Sequence, residues 1–123
     1  MLPYRFPRPL RIGLYALACL ILLALCLLPS PELPDAPGGD RLHHVIAWFT
    51  LTVTGYALAP ERRFAIPAFA LALGAFVEIA QGMAPIGRHA ELPDFAADAI
   101  GVGLGVLAFV AVRRLAPRWV GAT

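Results

Sequence analysis

The sequence predicts an all-α integral membrane protein, a bundle of four transmembrane helices forming a single membrane domain over residues 1–123, with both termini cytoplasmic. Three observations predict it. The 123 residues are 59% hydrophobic and 15% charged, with a mean hydropathy of +0.73, whereas a soluble domain of this size needs a more polar surface. Apolar runs close to spanning length occur four times along the chain. The arginines are divided unevenly between the segments that join those runs.

The first run covers about residues 10–28, with Arg5, Arg8 and Arg11 before it and "PSPELPDAPGG" after it. A cleaved signal peptide is the rival reading, but the apolar core is longer than usual and no small-x-small site closes it. The second run covers about residues 42–59 and ends at Pro60, the third about 65–82, and the fourth about 95–112. Each is long enough to cross a bilayer at about 1.5 Å per residue. Helices are the form they must take, because four segments cannot close a barrel and an open sheet edge is not tolerated in lipid. Cys19 and Cys26 both lie in the first run. A helix separates them by roughly 10 Å, beyond disulfide reach.

Orientation follows from the arginines. The N-terminal tail, the "PERRF" turn and the "RRLAPR" segment share one side and hold eight of them; the other side holds Arg41 and Arg88, along with Glu32, Asp35, Asp40, Glu91 and Asp94. The arginine-rich side is inside, and two acidic loops are outside. The net charge of +2 is too small to indicate a nucleic-acid partner.

That topology places the polar residues near the apolar runs at one depth. Asp40 and His44 open the second helix on one face, Glu78 and Gln81 close the third, and Asp94 and Asp98 open the fourth. The face of Asp94 and Asp98 continues into Gly101 and Gly105, a strip of small residues that permits close helix packing or self-association. Asp40 after "PGG" suits an N-cap, and Asp94 after Pro93 suits a first helical turn. Glu78 has no such structural explanation. It lies about one turn inside a helix C-terminus, where the dipole disfavours a carboxylate, and no basic residue stands three or four positions away. An ionisable side chain inside a span points to function. Asp40, Glu78, Asp94 and Asp98 face a single fixed positive charge, Arg88, with His44 as a second when protonated. The imbalance calls for a protonated acid or a bound cation. Histidine and carboxylates suit a zinc or magnesium ion, but the residues are scattered and form no tight ligand motif, so the sequence assigns no cofactor.

In order, the set reads "DRLHH", "EIAQ", then "GRHAELPDFAADAIG". It resembles the VanZ-like family of small bacterial membrane proteins, in which Asp-Lys-x-x-His, Glu-x-x-Gln, and then Arg, Asp, Asn or Asp, and Gly recur in this order. Asp40 and His44, Glu78 and Gln81, and Arg88, Asp94, Asp98 and Gly101 match it. Arg41 stands where Lys is usual, and Asp98 where Asn is frequent; the chain contains no Lys and no Asn at all. The resemblance implies a multi-pass protein of the bacterial cytoplasmic membrane, associated with the cell envelope and with teicoplanin-type glycopeptide susceptibility.

Three functional readings stay open. In the first, an outward polar pocket binds an envelope lipid, a lipid-linked precursor or a glycopeptide, with Arg88 meeting a phosphate or carboxylate and the acids meeting amines or hydroxyls. In the second, an outer-leaflet hydrolase or transferase uses Glu78 or Asp98 as general base, with His44 as proton partner oriented by Asp40 and Arg88 as anion stabiliser. In the third, the residues form only an interhelical hydrogen-bond network.

Overall fold

The computed structural model describes residues 2–27, 39–83 and 92–120. Among these residues the chain is entirely helical. Four long helices, α1 (Arg8–Leu27), α2 (Gly39–Leu58), α3 (Ala65–Met83) and α4 (Leu92–Leu115), are flanked by short 3-10 turns at Pro3–Arg5 and Pro117–Val120. At about 1.5 Å per residue the long helices run roughly 30 Å or more. Their ends depart from the apolar runs by a few residues. α4 begins at Leu92, with Pro93 in the first turn where its missing N–H is no loss, and it continues through Arg113 and Arg114. Apolarity marks what is buried or in lipid, whereas the helix also includes polar end turns.

The helices run alternately up and down. At one end, Tyr4 donates its hydroxyl hydrogen to the Arg118 carbonyl (3.1 Å), joining the two terminal turns. At the same end Arg11 donates to the Leu58 carbonyl at the C-terminus of α2 (3.0 Å) and lies 3.6 Å from Glu61 in the α2–α3 turn. Glu61 is 60% exposed, so the ion pair adds little, and the bond to an orphan helix carbonyl is the more useful contact. Tyr56 closes the turn through its hydroxyl to the Arg63 carbonyl (2.7 Å) and stacks on Phe109 of α4, centroids 3.9 Å apart.

The central pair is α2 and α4, which share the most extensive interface, with α3 laid against both. Two glycines make this approach feasible. A Cβ on Gly101 would lie 2.5 Å from the Val45 carbonyl oxygen and 2.9 Å from the Phe49 nitrogen, and one on Gly105 would lie 2.7 Å from Thr52. The small-residue strip is therefore occupied by α2 of the same chain. Leu22, Trp48, Leu51, Ala70, Val77 and Val102 form the core. Large hydrophobic side chains are also exposed on all four helices, among them Leu17 and Leu20, Ile46, Phe76 and Ile79, and Leu104 and Leu107. Arg8–Leu25 and Phe95–Leu115 are long and apolar enough to cross a membrane; the apolar stretch of α3, Ala65–Ala80, is shorter. α2 is more polar, because it carries His44 and Thr52, and both point inward and are buried. Cys19 is a half-buried free thiol packed against the core.

Candidate functional site

The end of the bundle opposite the joined termini carries a buried polar centre. His44 comes from the beginning of α2, Glu78 from the end of α3 and Asp98 from the beginning of α4. Each lies roughly 8 Å along its axis from the helix end. They are 4%, 8% and 0% exposed, and one donor atom from each lies within 4.8 Å of one from each of the others. Local spacing explains the convergence. α2 and α3 run antiparallel, and so do α3 and α4, so a start, an end and a start share one level.

His44 Nδ1 is 2.5 Å from Asp98 Oδ1. Where the carboxylate is ionised it only accepts, and Nδ1 then carries the hydrogen of this contact. Trp48, one turn further along α2 and fully buried, stacks on the imidazole with centroids 5.4 Å apart and planes 5° apart. The indole is itself held, donating from Nε1 to the Ala70 carbonyl on α3 (2.8 Å). The Thr52 hydroxyl, one turn beyond, donates to the Trp48 carbonyl (2.8 Å) and so needs no partner outside its own helix. On α3, Gly74 faces Asp98. A Cβ there would lie 2.9 Å from Asp98 Oδ2 and 3.2 Å from Trp48 Nε1.

Of the seven polar residues selected from the sequence for ligand binding, His44, Glu78 and Asp98 come together. Asp40, Gln81 and Asp94 belong to helices α2, α3 and α4, but their side chains lie outside the described part, as does Arg88 entirely. Gly101 and Gly105 lie between α4 and α2. Trp48, Thr52 and Gly74 were not selected for the site. Their signal was position: Trp48 and Thr52 continue the face of His44 at steps of four, and Gly74 precedes Glu78 by four.

Chemically, the centre offers an imidazole nitrogen and two carboxylates in a dry setting. That set can move a proton, bind an amine or hydroxyl, or hold a metal ion. No family model, curated protein or solved structure matches the chain.

Proposed function

We propose that this protein is a VanZ-like, four-span protein of the bacterial cytoplasmic membrane with both termini inside, whose outward end binds an envelope lipid, a lipid-linked precursor or an amphipathic glycopeptide. One observation carries the reading. Three ionisable side chains from three helices converge at a single level. Burying charge among apolar side chains costs several kcal/mol per ion unless it is compensated, so such a cluster persists where it is used. The many exposed large apolar side chains and the two helices long and apolar enough to cross a membrane support the membrane setting. In this reading the acids and His44 take the amines or hydroxyls of the ligand, and Arg88 takes its phosphate or carboxylate.

The test is mass spectrometry of the protein released from detergent, together with teicoplanin susceptibility of cells expressing it. A lipid or precursor adduct is expected on the wild type and is lost in Glu78→Gln and Arg88→Gln, with susceptibility moving in parallel. A wild type with no adduct and no effect on susceptibility sinks the reading.

A second reading is favoured by the His44–Asp98 contact. A carboxylate that fixes the tautomer of an imidazole leaves Nε2 poised as a general base, which suits an outer-leaflet hydrolase or transferase. Turnover of an envelope lipid that disappears in Glu78→Gln while the fold survives selects it over simple binding.

A further inference from the structure

We propose that His44, Glu78 and Asp98 form a binding site for one divalent transition-metal ion, with zinc the best-matched. The proposal uses the same centre as the envelope-ligand reading and rests on it only for the outward orientation of the site.

The donor set argues for it first. An imidazole nitrogen with two carboxylate oxygens is a mixed N/O site of borderline softness, which suits zinc or manganese better than the all-oxygen sets preferred by calcium and magnesium. Three protein ligands leave a coordination position open, as a site that meets an exogenous ligand requires. Placement argues for it next. Ligands at about 2.0–2.2 Å from zinc stand roughly 3–3.5 Å from one another. The donor atoms here lie within 4.8 Å of each other; binding an ion would displace the proton shared by His44 and Asp98 and open their 2.5 Å contact, while Glu78 would close in by side-chain rotation. All three residues are at least nine-tenths buried and come from three helices, so one ion would tie α2, α3 and α4 together at their outer ends.

Two features beyond the three residues point the same way. Gly74 lets the Asp98 carboxylate pack directly against α3, a Cβ there falling 2.9 Å from Asp98 Oδ2, which holds that carboxylate in place beside the helix of Glu78. The His44 ring is held flat against Trp48, which is anchored to α3 in turn. A ligand whose orientation is set by its surroundings in this way loses little freedom when a metal binds. The ion also deepens the envelope reading, because it would present a fixed positive charge to a phosphate or carboxylate of the ligand.

The experiment uses the full chain, purified in detergent with a histidine-free tag, stripped with EDTA and equilibrated with zinc, manganese or magnesium chloride before gel filtration. Elemental analysis is expected to find about one zinc per wild-type chain, with manganese weaker and magnesium absent. Glu78→Gln and Asp98→Asn retain at least roughly tenfold less zinc, while Glu61→Gln, an exposed acid at the other end, retains as much as the wild type. Where a variant does not fold, cobalt(II) added to the wild type decides instead: ligand-field bands in the visible, displaced by zinc, support the site, and their absence overturns it. The proposal is overturned if the wild type holds no more zinc than Glu78→Gln, or if magnesium is retained and zinc is not. A wild type without zinc that still carries a lipid lost in Arg88→Gln leaves the envelope reading standing and removes only the metal. Zinc without any lipid does the reverse.

Discussion

The imidazole of His44 has a carboxylate bonded to Nδ1 and an indole against its face. Trp48 sets this arrangement because its own position is determined by the bond to the Ala70 carbonyl. Trp48→Phe removes that bond from a fully buried position and leaves a void where the larger ring was. The expected cost is about 1–3 kcal/mol, read as a lower unfolding temperature in detergent. An unchanged temperature means that the indole contributes nothing beyond its contact with the histidine. Glu78 was legible from sequence because a carboxylate near a helix C-terminus opposes the dipole and needs another reason to be there. Trp48 was not, since a tryptophan in an apolar run reads as ordinary packing. The partner that makes it specific is a backbone carbonyl on a different helix, and no side-chain pattern encodes that.

Among elements, the α2–α4 contact decides the geometry of the site, because His44 and Asp98 are joined across it. The close approach rests on glycines whose roles differ sharply. Gly101→Ala puts a methyl group against the Val45 carbonyl and the Phe49 nitrogen, both backbone atoms that cannot rotate away, so the helices must separate. A loss of about 1–3 kcal/mol is expected. Gly103→Ala, two residues on, meets nothing within 4 Å and is expected to be neutral or slightly stabilising, since alanine is the better helix former. Comparing the two unfolding temperatures checks the interface; equal losses would mean that helix propensity and not contact is being measured. The existence of four helices was legible from four apolar runs, although among the described residues only those of α1 and α4 are long and apolar enough to cross a membrane. Their ends were less so, because polar turns such as that of Gly39 and Asp40 belong to the helix without belonging to the apolar run. Gly101 and Gly105 announced a close contact by their spacing, but the sequence did not say whether the partner would be another copy or, as found, α2.

In the molecule as a whole, an ionisable centre is buried beside an apolar core, and large apolar side chains are also exposed. The buried centre is ionisable while the exterior of α1 and the outward faces of α3 and α4 carry leucine, isoleucine and phenylalanine. Eight arginines collect where the termini meet, near the Tyr4–Arg118 and Arg11–Leu58 bonds, and the His44–Glu78–Asp98 centre lies at the opposite end. In the proposed orientation, the arginine-rich end is expected on the cytoplasmic side and the centre at the outer boundary. Fluorescent-protein fusions after Thr123 and alkaline phosphatase fusions at Ala90 read the two ends separately. Fluorescence at the first and phosphatase activity at the second are expected. The Tyr4–Arg118 bond ties both termini to one side, so the result at the C-terminus also constrains the N-terminus. An inactive phosphatase at Ala90 would turn the centre toward the cytoplasm. The ligand would then have to come from the inner leaflet or the cytosol, and an envelope component captured from outside would no longer be available to it.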